Sequence, residues 1–418
     1  NLQPPTSNLQ SPTSNFQPPT SNLQSPISIL QSPNPMKPLH IRTVVSDEDR
    51  RAFVGLPWKV YRDNPYWVPP LFSERMEFID PAHHPFFEHA TVEFFLAKRE
   101  DEVVGTIAAF TNHRHNEFQG ENIGFFGFFE VLDDPEAADA LLETAENWAR
   151  ECGHDAIRGP AQFSTNEECG LLVDGFDDPP RILMTYNPRR YVDYIEGHGY
   201  KKAMDLHAYA LDMDIFSEGS RFPAKLLRVV EKVKERGEIE IRNMRMNDFD
   251  AEVERVKILY NKCWERNWGF VPMTDAEFDA MGKELRPLLD PDLVFVAEID
   301  GEPVGVSLTL PDLNQPLRSA YPRPETPEWW TMAKLAWNWK VRRQVTWLRV
   351  LILGVLPEHR SRGVDALFYY ETAKAALKKG IKHAEMSWIL ENNDKISRPI
   401  RVMGGEVYKT YRFYEKTL

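Results

Sequence analysis

Residues 348–365 read Leu348-Arg-Val-Leu-Ile-Leu-Gly-Val-Leu-Pro-Glu-His-Arg-Ser-Arg-Gly-Val-Asp365, and this stretch decides the fold. Its apolar first half predicts a buried strand, and a helical pattern over residues 366–379 follows a short basic turn. Such a turn leaves the first backbone N–H groups of the helix without partners, and Arg360 and Arg362 add positive charge beside them. The stretch therefore predicts a binding site for a phosphate or pyrophosphate group.

The end of this stretch, Val355-Leu-Pro-Glu-His-Arg-Ser-Arg-Gly-Val-Asp365, resembles the acyl-CoA loop of the GNAT acetyltransferase superfamily, Arg/Gln-x-x-Gly-x-Gly/Ala. Arg360 and Gly363 match that consensus, whereas Asp365 stands where the family has Gly or Ala. Asp365 either faces outward, stabilised by the helix dipole, or opposes the pyrophosphate. The resemblance implies acetyl-CoA or a longer acyl-CoA as donor substrate. The cofactor-binding residues that it implies in this loop are Gly354, Val355, Arg360, Ser361, Arg362, Gly363, Val364 and Asp365.

The chain also repeats itself at one offset. His40-Ile-Arg42 recurs as Glu240-Ile-Arg242, and Phe95–Gly105 recurs as Phe295–Gly305, both 200 residues later. Two separated matches at one offset indicate a duplication. Each copy is expected to form a mixed, mostly antiparallel sheet with helices on both faces, which the GNAT resemblance also implies. The predicted fold class is α/β, with two GNAT-like domains in tandem.

Composition divides the chain into four segments. Residues 1–35 are five proline-containing heptads, too polar to build a core, and we expect a disordered tail there, with Met36 as a natural start. Residues 36–215 are the first copy (copy one), residues 216–238 are predicted to be a bridging helix, and residues 239–418 are the second copy (copy two).

Copy one has no counterpart of the acyl-CoA loop. At the equivalent point it reads Phe128-Phe-Glu-Val-Leu-Asp-Asp-Pro135, which is acidic and has no Arg-x-x-Gly. An acidic turn repels a pyrophosphate. Copy one is therefore predicted to be a degenerate partner that does not bind the donor.

The catalytic candidates are Glu168, Glu167 and Asn392. The resemblance implies that a splayed strand offers a backbone N–H to the thioester carbonyl, that a base deprotonates the amine, and that a tyrosine protonates the thiolate. Glu167 and Glu168 lie on a long polar insertion of copy one, where they bind or deprotonate an amine, or cap a loop. Asn392 and Asn393 match the asparagine that the family often uses to hold the pantetheine arm, and a plain helix cap competes.

Two departures accompany these candidates. The helix expected at residues 395–404 has Ile400 or Arg401 where the family usually places tyrosine, so the acid for the leaving group is unassigned. On or after the strand before it, Glu385, Glu391 and His383 are candidates for the general base. For Glu385 and His383 the favoured interpretation is that they are outward-facing polar residues that alternate with a buried set.

Composition narrows the class of protein further. A net charge of −13 argues against nucleic acid as a partner. The three cysteines are far apart and lack metal-ligand spacing, so we expect no metal and a reducing, cytoplasmic setting. No apolar run approaches the ~20 residues that a membrane-spanning helix needs.

Residues 325–350 hold five of the 11 tryptophans, interleaved with lysines and arginines. This pattern is typical of a helix that rests in a membrane interface, or of the lining of an acyl-chain channel, and a helix packed into a domain junction is the competing interpretation. We expect peripheral contact with the inner face of a membrane through Trp329–Trp347. Some bacterial acyltransferases of the ceramide-synthase type are similar to GNAT proteins, which suggests a lipid-like long-chain amine as acceptor.

The leading functional prediction is an N-acyltransferase that moves an acyl group from acyl-CoA to an amine. The first alternative is a non-catalytic acyl-CoA-binding sensor or scaffold, because Asp365 and the missing tyrosine remove two family features. The second is Fem-like aminoacyl transfer from a charged tRNA, which the acidic balance of the chain disfavours.

Overall fold

The computed structural model describes residues 37–216 and 222–418. The predicted tail of residues 1–35 lies outside the described residues, and so do residues 217–221 of the predicted bridging segment. Leu39–Leu418 cluster as one unit.

Strands and helices alternate along both copies. The strands are β1 (Leu39–Thr43), β2 (Ala90–Arg99), β3 (Glu102–Asn112), β4 (Ile123–Val131), β5 (Ala156–Gly159), β6 (Leu171–Asp174), β7 (Lys201–Asp212), β8 (Glu240–Asn243), β9 (Val294–Ile299), β10 (Glu302–Pro311), β11 (Trp347–Val355), β12 (His383–Leu390) and β13 (Glu406–Thr417). The helices are α1 (Asp47–Gly55), α2 (Pro57–Val60), α3 (Phe72–Phe78), α4 (His113–Gln119), α5 (Pro135–Glu151), α6 (Arg190–Gly197), α7 (Ala224–Arg236), α8 (Phe249–Trp264), α9 (Asp275–Leu285), α10 (Asn314–Ala320), α11 (Glu328–Ala336), α12 (Val364–Lys378) and α13 (Asp394–Val402).

One continuous sheet runs through both copies, in the order β1-β2-β3-β4-β5-β13-β7-β12-β11-β10-β9-β8, and β6 also pairs with β13. The last strands of the copies are exchanged. β13 of copy two lies between β5 and β7, and β7 of copy one pairs with β12 of copy two. The exchange gives the inner strands of each copy a hydrogen-bonding neighbour from the other, so no edge is left between the copies.

The predicted hairpin of copy two is confirmed. β9 and β10 are joined by Asp300 and Gly301, whose φ angles are 53° and 84°. Two consecutive positive φ angles are what a two-residue hairpin turn requires, and Asp-Gly supplies them at low cost. In copy one, Glu100 has a φ of 54° at the equivalent turn between β2 and β3.

Helix α7, within the predicted bridging segment, packs against α12. Its buried residues Val230 and Val233 belong to the same apolar cluster as Leu367 of α12 and Met386 of β12. This packing fixes the start of α12, where the predicted phosphate loop ends.

Candidate active site

The site begins where two parallel strands separate. β11 and β12 pair only from Trp347 with His383 to Val350 with Met386, although β11 continues to Val355. The register between β10 and β11 skips Leu351, so this residue has no register partner on either side. The strands therefore diverge beyond Val350, as the resemblance implied for the strand that holds the thioester.

A cavity of about 1920 Å³ extends from this gap, larger than the roughly 300–1,000 Å³ typical of a small-molecule site. It lies between the end of β11, the start of α12, α8, α3 and the loop at residues 163–169. The predicted site residues that line it are Glu167, Glu168, Gly354, Val355, Arg360, Ser361, Val364, Asp365, Asn392 and Asn393. Arg362 and Gly363 are not in its wall. The structure thus brings together the carboxylate pair of copy one and the loop of copy two.

The predicted loop leaves the first turn of α12 without a side-chain cap. Gly363 occupies the N-cap position with a φ of 88°, and Ser361 has a φ of 67°. A Cβ on Gly363 would lie 2.6 Å from Cγ2 of Val233, so helix α7 also excludes a side chain there. An uncapped helix N-terminus favours an anion through its N–H groups and its dipole.

The two arginines of the loop differ in what they contact. The Arg360 guanidinium donates to the carbonyl oxygens of Val355 (3.2 Å) and Cys263 (2.7 Å), which ties the loop to β11 and α8. Arg362 pairs with Glu238 outside the cavity wall. Arg362 also lies 3.3 Å from Nδ1 of His359, which lines the cavity, so the charge of Arg362 at the phosphate site stays a prediction.

Asp365 lies half-buried in the first turn of α12 and lines the cavity. Burial, with the charge of Asp365 second, raises the pKa of Tyr369 one helical turn further on.

The equivalent helix start in copy one carries its own anion. The Asp134 carboxylate caps α5 by accepting from the N–H of Ala137 (3.1 Å), and Arg99 pairs with it at 2.6 Å. A carboxylate thus stands where a phosphate would bind in copy two.

Copy one also fills its own gap between strands. β4 and β5 pair only from Ile123 to Phe125 and then separate. Phe163, 1% exposed, lies in an aromatic cluster and stacks on Phe86 (4.7 Å) and Phe78 (5.1 Å). The Phe163 ring also contacts Phe128 of β4 (5.0 Å), so aromatic side chains pack beside β4 where it has left β5.

The two carboxylates of the copy-one loop have different surroundings. Glu168 pairs with Arg75 at 2.8 Å. Among the described residues no lysine or arginine pairs with Glu167, and Nε2 of His84 lies 3.9 Å from its carboxylate. Burial raises the pKa of Glu167 to about 8, with further contributions from the charges of Glu284 and Glu168. Burial lowers the pKa of His84 to about 4, so this imidazole is neutral near pH 7.

Helix α8 links Glu167 to the acyl-CoA loop. The Tyr260 hydroxyl donates to Oδ1 of Asn166 (2.8 Å), next to Glu167, and its ring stacks on Trp264 at 4.9 Å. Trp264 covers Gly354 so closely that a Cβ there would lie 2.4 Å from its ring. Tyr260 and the Arg360 acceptor Cys263 are three positions apart, roughly 4.5 Å along the helix. Helix α8 therefore contacts both the loop that carries Glu167 and the loop before α12.

The asparagines lie at the exit of β12. Asn393 is the N-cap residue of α13, but its side chain makes no capping hydrogen bond. Asn392 is exposed, and both residues line the cavity. The plain-cap alternative is thus not realised, and both amides remain available to a ligand. Ile400, at the position of the family tyrosine, is buried.

Glu385 corrects the interpretation of its strand. It is 0% exposed, accepts from Ser387 Oγ (2.6 Å) and from Tyr408, and lies 3.6 Å from Arg349. Arg349 lines the cavity and donates to the carbonyl oxygen of Ile182 at 2.7 Å. A buried ionic network therefore forms part of the cavity wall, and the outward-facing interpretation of Glu385 is wrong. His383 is half-buried.

The tryptophans of residues 325–350 do not line this cavity, so the cavity gives the acyl-channel interpretation of that segment no support. Trp347 packs under Arg181, whose guanidinium lies 3.7 Å from the ring centroid. The tryptophans in the cavity wall are Trp264, Trp268 and Trp388.

Sequence reasoning missed several side chains of the wall, namely Arg75, His84, Tyr260 and Trp264. They belong to elements without a motif, and only the fold brings them to the loop. Arg349 did carry a signal, because a charge inside an apolar strand run demands a buried partner.

The described part of the chain contains neither a metal cluster nor a membrane-spanning helix. No group of three or more His, Cys, Asp or Glu side chains there is placed to hold a metal ion. No helix among those residues has the length and apolarity to cross a membrane.

Known proteins share both the sequence and the fold. The chain is 34% identical over 386 residues to protein YghO of Escherichia coli (strain K12), which covers 90% of this chain and 95% of that protein. It is 35% identical over 385 residues to the bacterial ceramide synthase of Caulobacter vibrioides (strain NA1000 / CB15N), with 91% and 98% covered. No protein-family model matches the chain.

Among solved structures, a tandem GNAT protein from the clavulanic acid biosynthesis pathway, without AcCoA, matches with a TM-score of 0.52 at 11% identity. The match covers 91% of this chain and 98% of that one. At this identity the likeness shows the fold alone.

Proposed function

We propose that this chain, which belongs to one family with the bacterial ceramide synthase and has the fold of a tandem GNAT protein, transfers an acyl group from acyl-CoA to the amino group of a lipid-like long-chain amine. The predictions of fold class, superfamily and acyltransferase enzyme are confirmed, so the alternative of a non-catalytic sensor is set aside.

One observation carries it. A single cavity holds both the uncapped N-terminus of α12 and the unpaired carboxylate of Glu167, and α8 joins the two. The first suits the phosphates of a CoA thioester. The second suits an amine, because Glu284 and Glu168 add negative charge around it.

In the proposed reaction, the phosphates of acyl-CoA bind the N–H groups at Ser361–Asp365. The thioester then lies in the gap beyond Val350, and the pantetheine arm passes Asn392 and Asn393. Glu167 accepts a proton from the ammonium group of the acceptor, and the freed amine nitrogen attacks the thioester carbonyl carbon.

Negative charge develops on the carbonyl oxygen, where backbone N–H groups of the unpaired part of β11 stabilise it. The nitrogen of the tetrahedral intermediate loses its second proton as the C–S bond breaks and the amide forms. CoA leaves as a thiolate that takes up one proton, and Glu167 releases the proton that it accepted to solvent. Only copy two performs this chemistry, because Asp134 and Phe163 close the equivalent places in copy one.

Two features support a long-chain acceptor. The cavity exceeds the usual size of a small-molecule site and combines polar loops with apolar walls, among them Trp268, Phe270 and Phe413. In addition, the ceramide synthase is named for a product that is an N-acylated long-chain amine.

The test measures CoA release and amide formation together. Acetyl-CoA and palmitoyl-CoA are each incubated with sphinganine and with a short amine such as ethanolamine, and products are identified by mass spectrometry. We expect amide and free CoA in equal amounts, with sphinganine preferred. Free CoA without amide, or product only from a charged tRNA donor, would overturn the proposal. Arg360→Glu should abolish turnover, because it removes both loop anchors and places a carboxylate beside the phosphates.

A further inference from the structure

An exposed tryptophan cluster lies outside the active site. Among the described residues, ten large apolar side chains are exposed, and five of them fall within residues 329–341. We name this set the tryptophan patch, and its members, with their exposed fractions, are Trp329 (71%), Trp330 (48%), Met332 (46%), Trp337 (59%) and Val341 (57%). A contiguous apolar surface of this kind marks an interaction site.

The patch is positively charged within an acidic chain. Residues 328–343 contain four exposed basic side chains and one acidic one, a local charge of +3 in a chain of −13. The single acid, Glu328, is already bonded to the protein. The basic residues are Lys334, Lys340, Arg342 and Arg343.

The patch is anchored at the rim of the cavity. The Glu328 carboxylate accepts from the N–H (2.9 Å) and hydroxyl (2.7 Å) of Ser73, at the start of α3. Ser73 is exposed and lines the cavity. Trp58 further holds the approach to α11 through its indole N–H, 2.8 Å from the carbonyl oxygen of Pro322. The patch therefore faces solvent beside an entrance to the active site.

We propose that the tryptophan patch docks the protein on a lipid bilayer that carries anionic headgroups. Tryptophan favours the headgroup level, where its ring is buried and its N–H stays hydrated, and the basic side chains extend to the phosphates. Buried Thr331 and Asn338 face the protein, so α11 and its continuation lie flat on the surface. A second copy of the chain is a less suitable partner, because two tryptophan patches face to face would bring together two surfaces with a net charge of +3 each.

Docking does not depend on catalysis, whereas its use in admitting a lipid amine to the cavity rests on the proposed function. Three indole rings insert shallowly beside four basic side chains, so we expect binding to need both the tryptophans and the positive charges. Loss of the rings should therefore weaken vesicle binding by about tenfold or more, and reversal of two charges should remove the preference for anionic lipid.

The experiment measures co-sedimentation of the full chain with vesicles of phosphatidylcholine alone and with 30% phosphatidylglycerol, a composition chosen to give about the anionic surface of a bacterial membrane. The variants are Trp329→Ser/Trp330→Ser/Trp337→Ser and Lys334→Glu/Lys340→Glu. The matched control Val45→Ser/Ile258→Ser removes exposed apolar side chains elsewhere, which are 83% and 54% exposed.

We expect wild type and control to bind anionic vesicles alike, the tryptophan variant to bind them about tenfold or more weakly, and the charge variant to bind anionic and neutral vesicles alike. Equal binding by the tryptophan variant, or no binding by wild type, overturns the proposal. Patch-dependent self-association without lipid, seen by sedimentation velocity, does so as well and identifies a dimer surface instead. Activity on palmitoyl-CoA and a short amine should be the same in all variants as in wild type. If wild type is inactive on both the short amine and sphinganine, the proposed function fails while the docking result stands.

Discussion

The substitution Glu167→Gln tests the base directly. Glu167 has a pKa of about 8, so about one tenth of the molecules carry it ionised at pH 7 and about nine tenths at pH 9. Because only the ionised form accepts a proton, this group should raise kcat/KM about tenfold between these pH values. The Gln variant keeps the side-chain shape without the base and should lose about 10²- to 10⁴-fold in kcat.

The assay follows CoA release with palmitoyl-CoA and a long-chain amine from pH 6 to 10. Ionisation of the amine itself contributes equally to both enzymes, so the ratio of wild type to Gln variant reports Glu167. His84, with a pKa of about 4, stays neutral over this range and adds no step.

Glu168→Gln is the matched control. Glu168 pairs with Arg75, and its negative charge raises the pKa of Glu167. Removing that charge favours ionised Glu167, so the midpoint of the profile should move to lower pH while kcat at high pH is largely kept. A Glu167→Gln enzyme with the rate and profile of wild type would refute the assignment of the base.

Three further substitutions probe the loop and the closed gap. Arg360→Ala should weaken acyl-CoA binding at least tenfold by calorimetry, because it removes the hydrogen bonds to Val355 and Cys263. Arg362→Ala is its control, because it removes the exposed ion pair with Glu238; it should change the affinity less than threefold, within about 0.6 kcal/mol. Gly363→Ala should reduce the free energy of unfolding by about 1–2 kcal/mol and weaken acyl-CoA binding, because Gly363 has a positive φ and a Cβ there would collide with Val233. Gly301 also has a positive φ but has open space around it, so Gly301→Ala measures the cost of backbone strain without a collision. Phe163→Ala should cost about 3–5 kcal/mol in denaturant unfolding while leaving the copy-two site occupied by acyl-CoA; an unchanged midpoint would show that Phe163 does not support the copy-one core.

Local chemistry in the sequence predicted the parts of the fold that depend on neighbouring residues. Asp300-Gly301 predicts the hairpin because these two residues tolerate positive φ angles. Arg360 and Gly363 predict the loop before α12 because they lie within four positions of each other and shape the same turn. The strand exchange could not be predicted in this way. β13 pairs with β5 through contacts such as Tyr414 with Gly159, more than 250 positions apart, and either pairing suits the same alternating pattern.

Glu385 shows where a pattern misleads. Alternation along a strand assigns polar residues to solvent only if one face is exposed, whereas β12 lies inside the sheet with both faces covered. Its partner Arg349 comes from β11, and the hydroxyl of Tyr408 from β13, so the pairing needs the sheet order. In the same way, side chains near Glu167 come from α3 and α9, and no sequence motif predicts that these helices lie beside it.

The central claim is that one chain binds one acyl-CoA, in copy two. Isothermal titration of the full chain with palmitoyl-CoA measures the stoichiometry directly, with Arg360→Glu as the site variant. We predict one site per chain in the wild type and none in the variant. Two sites per chain, or a site that survives Arg360→Glu, would contradict the account.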